Sequence, residues 1–170
     1  ILAYLDDATI TGRARDVAAA FATYTELCSG IGLMMYPKKC EWLCKVESDE
    51  VHAPSVGSTR VTVVRGAIKV LGAFIGDPLT CRERVTDTVV KSKEFFDLLR
   101  DAATEVQYHV LTKCGVPRLN YCTQVHQPDV CGEGAEVFDG YVLAAMEHIL
   151  QTRVSEDSVE LMRLPLKRGG

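Results

Sequence analysis

Ile1-Leu2-Ala3-Tyr4-Leu5-Asp6-Asp7-Ala8-Thr9-Ile10-Thr11-Gly12 decides the reading of this chain. Two short apolar-leaning runs flank a pair of adjacent aspartates, and a glycine closes the unit. Strand-length runs around a polar pair predict a tight β-hairpin with its carboxylates at the bend. Carboxylate oxygens are hard donors, so such a pair suits Mg²⁺, with Mn²⁺ as the alternative, rather than a soft metal. Ions held there can neutralise a polyphosphate during in-line displacement. Aspartate is also a common turn former, so the same residues read as well as a solvated turn.

Outward from the hairpin, the spacing predicts a helix from about Arg13 to Ile31. Val17, Ala20, Phe21, Tyr24, Leu27, Cys28 and Ile31 form its apolar stripe, and Gly30 and Gly32 stop it. Gly32-Leu33-Met34-Met35-Tyr36-Pro37-Lys38-Lys39-Cys40-Glu41 then leads into a strand, Trp42-Leu43-Cys44. After a polar loop the pattern predicts a strand pair, Arg60–Val64 with Ala67–Gly76.

The character changes after about Pro78. Val85, Val89, Ser92, Phe95, Phe96 and Leu99 place a stripe on a helix from about Cys81 to Asp101. A second helix, about Thr104 to Cys114, points Val106, Val110 and Leu111 inward and stops at Gly115 and Pro117. A third, about Ala135 to Gln151, carries Phe138, Tyr141, Val142, Ala145 and Ile149. The Cys131-Gly132-Glu133-Gly134 segment before it reads as a linker or turn. It lacks the Lys-Ser/Thr and the preceding strand of a phosphate loop.

Taken in order, a Y-x-D-D hairpin, an amphipathic helix, a G-L…K-C-E segment and a hydrophobic L-G segment resemble the second half of a reverse transcriptase palm. The likeness is greatest to the enzymes of non-LTR (LINE-like) retroelements. Gly115-Val116-Pro117-Arg118-Leu119-Asn120-Tyr121 is similar to the junction that follows the palm in that family, and Leu164-Pro165-Leu166-Lys167-Arg168-Gly169-Gly170 to a later segment of it. The resemblance covers the whole chain. It implies an α+β fold: a partial palm of antiparallel strands with a packed helix over 1–78, then a mostly helical, thumb-like region over 79–170.

It also implies RNA-directed DNA synthesis. A primer 3′-hydroxyl attacks the α-phosphate of a deoxynucleotide and pyrophosphate leaves, with two Mg²⁺ ions about 3.5–4 Å apart assisting both events. Asp6 and Asp7 take the catalytic and metal-binding positions. Tyr4 takes a position that contacts the primer end or the nucleotide, or else packs into the palm as a hairpin aromatic. Lys39 takes a nucleotide- or phosphate-contacting one, although Tyr36 stands where asparagine is common in the family's G-L-x-x-N-x-x-K segment. Leu71 and Gly72 match the primer grip, where a missing side chain permits close backbone approach. The implied partners are an RNA template, a DNA primer, a deoxynucleotide and an upstream fingers and palm segment of the same polypeptide. That segment would supply a further aspartate, so the 170 residues alone are not expected to polymerise. The chain has no initiator Met and opens inside a predicted strand, as expected of a piece of a longer protein. The family resemblance implies a nuclear or cytoplasmic location.

Composition fits a globular protein: 47% hydrophobic and 25% charged residues, with no apolar run long enough to cross a bilayer. A net charge of −4 runs against the basic face usual for nucleic-acid binding. The cations are clustered, however, at Lys38, Lys39 and Lys45, at Arg60, Arg65 and Lys69, and at Arg163, Lys167 and Arg168. Those clusters could face a duplex while Glu47, Asp49 and Glu50 face solvent. Seven scattered cysteines fit a reducing compartment. Cys40 with Cys44, or His109, Cys114, Cys122 and His126, lack the usual zinc spacing, so the cysteines read as structural. Two other readings stand beside the polymerase: a relic that keeps the fold without the chemistry, and an unrelated α+β interaction module.

Overall fold

The computed structural model describes residues 1–4 and 7–162. The fold is α+β, and the chain divides into two units at Cys81/Arg82. The first unit opens with strands β1 (Leu2–Tyr4) and β2 (Asp7–Thr9), paired antiparallel with Leu2 opposite Thr9 and Tyr4 opposite Asp7. Helix α1 (Ala14–Gly30) follows, with Asp16 in its first turn, where a carboxylate favours the helix dipole. Gly32, at φ +83°, ends it: the Gly32 and Leu33 amides donate to the Ser29 and Cys28 carbonyls at 3.0 and 2.9 Å. Only glycine takes that conformation without steric cost.

Strand β3 (Glu41–Cys44) alternates so that Trp42 and Cys44 point inward. They form a core with Val61, against which Ala14, Val17, Ala18 and Phe21 of α1 pack. A short hairpin of β4 (Ser55–Val56) and β5 (Thr59–Arg60) precedes β6 (Thr62–Arg65). β6 pairs in parallel with β3, Trp42 opposite Val63. The expected pairing of Arg60–Val64 with Ala67–Gly76 is therefore not formed. The latter stretch instead folds on itself as β7 (Ala67–Val70) and β8 (Ala73–Gly76), antiparallel, with Val70 opposite Ala73. Leu71 and Gly72 between them have φ +48° and +88°, the two left-handed residues that a two-residue hairpin loop requires.

Helix α2 (Pro78–Leu99) starts with proline in its first turn, where the missing amide costs nothing. Asp77 caps it: the Thr80 amide and hydroxyl both donate to Asp77 Oδ2, at 2.9 and 3.0 Å.

In the second unit, Val89, Phe96 and Leu99 of α2 meet Leu111 and two residues of helix α5 (Pro128–Leu150), Phe138 and Ala145. Phe96 packs edge-on against Phe95 and Phe138, with centroids 5.2 and 5.5 Å apart. Tyr141 completes the group. Helix α3 (Thr104–Val110) passes into a wide turn over Leu111–Gly115 and a tight one over Val116–Leu119, then into α4 (Asn120–Val125). The wide turn sits just ahead of Pro117, whose ring and missing amide disrupt a regular ladder. A short helix, α6 (Glu156–Met162), ends the described residues.

Three helical expectations change. The Cys131–Gly134 segment lies inside α5, not in a linker. A side chain at Gly134 would meet Val85 Cγ1 at 3.2 Å and Val89 Cγ2 at 3.4 Å, so its glycine serves the crossing with α2. Val106 is exposed, and Gln107 is the buried residue of α3. Leu27 and Ile31 of the first predicted stripe also lie on the surface. Among the described residues, no helix is long and apolar enough to cross a membrane.

Candidate functional site

The hairpin register sets the local geometry. Tyr4 closes β1 and Asp7 opens β2 directly opposite it. Asp7 is exposed at the first position of its strand, with its carboxylate available to a ligand. Asp6, the other carboxylate of the motif, lies outside the described residues, as does Leu5. The chain then enters α1 within a few residues, because Arg13 is extended and Ala14 already helical.

Lys39 ends a short 3-10 turn, Pro37–Lys39, whose proline favours the turn conformation. Its amide donates to the Tyr36 carbonyl at 2.9 Å and its side chain is exposed. Leu71 and Gly72 form the tip of the β7–β8 hairpin, with Leu71 half exposed. The expected site residues thus lie on three elements of one unit. Tyr4 and Asp7 are brought together as cross-strand partners, and Leu71 and Gly72 within one turn. Neither Lys39 nor the Leu71-Gly72 turn shares a hairpin with Asp7.

The charge pattern differs from the expected one. Arg65 Nε donates to Glu50 Oε1 at 2.7 Å, and its terminal nitrogen reaches both Glu50 and Glu47. These bonds hold the guanidinium charged, raising its pKa. Arg60 donates to the Glu50 backbone carbonyl. Glu50 is thus drawn into the second cation cluster, while Glu47 faces solvent as expected and contacts the same guanidinium from there. Fifteen residues separate Arg65 from Glu50, and no local pattern announces such a pair. Lys69 of that cluster instead lies over the Phe74 ring, 5.9 Å from its centroid.

All seven cysteines are free thiols. Burial pushes the Cys40, Cys44 and Cys122 thiols up, which disfavours the thiolate that a soft metal needs. Cys122 Sγ lies 3.5 Å from His126 Nδ1, which also contacts the Cys122 carbonyl at 3.0 Å, an arrangement local to one helical turn. Among the described residues, no three His, Cys, Asp or Glu side chains are grouped to hold a metal ion.

No protein-family model matches this chain, and no solved structure does. A curated relative, the Retrotransposable element SLACS 132 kDa protein of Trypanosoma brucei gambiense, is 25% identical over 174 residues. The match covers 99% of this chain and 14% of that protein, so the chain spans about one seventh of the relative's length. The likeness runs through both units and links the chain to retroelement proteins.

Proposed function

We propose that this chain is part of a retroelement reverse transcriptase, an RNA-directed DNA polymerase, and that Asp6 and Asp7 bind its catalytic metal ions. The observation that carries the reading is the hairpin: Tyr4 opposite Asp7, with Leu5 and Asp6 between them and a helix following at once. The likeness to a retrotransposable element protein along 99% of the chain supports it from an independent direction. Exposed carboxylate oxygen is the donor that Mg²⁺ prefers, and Asp7 supplies it. Mg²⁺ bound there would lower the pKa of a primer hydroxyl and stabilise the leaving oxygen. Lys39 would neutralise phosphate charge, and the Leu71-Gly72 turn would hold the primer strand. The partners in this reading are an RNA template, a DNA primer and a deoxynucleotide.

Primer extension by a polypeptide containing this chain tests the proposal. Asp6→Ala and Asp7→Ala are each expected to reduce incorporation by orders of magnitude while leaving template binding in place. Undiminished incorporation in Asp6→Ala would refute the assignment. Titration of the chain with Mn²⁺, followed by water proton relaxation, separates metal binding from turnover: Asp6→Asn is expected to weaken it.

A further inference from the structure

A groove of about 280 Å³ lies in the second unit. Val85, Val89, Leu119 and Phe138 give it an apolar floor, and Lys91 and Arg118 stand on its walls. The Arg118 guanidinium lies over the Phe95 ring, 4.4 Å from its centroid. A guanidinium held at a ring face keeps N–H groups able to donate to a ligand. Among the described residues, neither Lys91 nor Arg118 has an ion-pair partner. In a chain of net charge −4, two unpaired cations beside an apolar floor call for a ligand both acidic and apolar.

Helix α6 has that chemistry. Its sequence is Glu156-Asp157-Ser158-Val159-Glu160-Leu161-Met162, with Leu161 58% and Met162 42% exposed. Asp157 and Leu161 are four residues apart and share a face, so one face offers a carboxylate and an aliphatic anchor together. No residue of α6 lines the groove of its own chain.

We infer that α6 of a second copy docks in this groove, with Leu161 on the apolar floor and Asp157 against Arg118. Two copies exchanging α6 reciprocally close a twofold dimer and leave no open end to propagate. The interaction is independent of any polymerase role.

Sedimentation of the full chain across a concentration series tests it. A monomer–dimer equilibrium is expected, weakened by salt because an ion pair contributes. Leu161→Asp and Arg118→Glu should each give a monomer, and Arg118→Glu combined with Asp157→Lys should restore the dimer. A second measurement does not depend on dimer yield. A fluorescent peptide of residues 153–162 should bind the Leu161→Asp chain saturably, and its affinity should fall at least tenfold when Arg118→Glu is added. A wild-type chain that stays monomeric, a dimer that survives both single substitutions, or a peptide that fails to bind would each overturn the inference.

Discussion

A side chain at Gly76 would overlap the carbonyl oxygen of Gly66 and come within 2.7 Å of Ala67 Cα. Gly76 ends β8 at φ +150°, and the Asp77 amide donates to that same Gly66 carbonyl at 2.7 Å. The backbone of the β7–β8 hairpin thus closes on itself immediately before α2 begins. Both obstacles are backbone atoms, so rotamer changes cannot relieve the clash. Gly76→Ala is expected to cost several kcal/mol, at the upper end of single substitutions, about 3–5 kcal/mol. Urea unfolding followed by circular dichroism measures it; a loss below about 1 kcal/mol would show that the hairpin end yields easily.

Leu71 carries a different strain in the same hairpin. Its left-handed backbone, φ +48°, costs a residue with a β-carbon about 1–2 kcal/mol, whereas asparagine tolerates that region and suits the turn. Leu71→Asn should raise Tm slightly, and Leu71→Val should lower it, because a β-branched residue fits left-handed backbone worst. If Leu71 also contacts a primer strand, as proposed, Leu71→Asn would weaken primer binding while it stabilises the fold. Opposite signs in the two measurements separate a binding role from a structural one.

Asp77 gives the fold a defined acid sensitivity. Bonds from the Thr80 amide and hydroxyl to its carboxylate hold its pKa below the usual carboxylate range. A depressed folded-state pKa contributes stability that is full above the unfolded value, about 3.9, and is lost as pH falls through the folded one. The Tm difference between wild type and Asp77→Ala should therefore be constant near neutrality and shrink as pH drops below about 4. A difference independent of pH would show that the capping bonds do not favour the ionised form.

The helices were largely legible in the sequence, because their stripes carry large apolar residues at helical spacing: Val85, Val89, Phe96 and Leu99 are all buried as that spacing requires. The glycines of α5 and the strand partners were not. Gly132 and Gly134 signal a break by local propensity, yet Val85 and Val89 pack where a side chain at Gly134 would project, and tertiary packing prevails. The parallel β3–β6 pairing depends on a connection of seventeen residues, which no turn signal encodes. The Leu71-Gly72 bend was hidden because leucine is a rare choice for left-handed backbone. At the candidate site, the hairpin was legible from its flanking runs, while the Arg65–Glu50 pairing had no local signal.

Gln107 shows a polar residue taking a position that periodicity assigns to an apolar neighbour. It is 5% exposed, and its Nε2 donates to the carbonyls of Arg100 and Ala102 at 3.0 and 2.6 Å. The side chain thereby satisfies two carbonyl acceptors in the turn that follows α2. Gln107→Leu removes the donor and should cost about 1–3 kcal/mol despite adding apolar surface. Gln107→Glu is the sharper test. Its carboxylate would face two acceptors, so burial and repulsion raise its folded-state pKa above the unfolded value of about 4.3. Such a group weakens the fold at neutral pH, and the loss should recede as acid protonates it and restores one donor. Gln107→Glu is therefore expected to unfold at lower urea than Gln107→Leu at pH 7 and to gain on it toward pH 4. A gap between the two variants that stays constant across that range would mean that the carbonyls of Arg100 and Ala102 do not need the Gln107 amide.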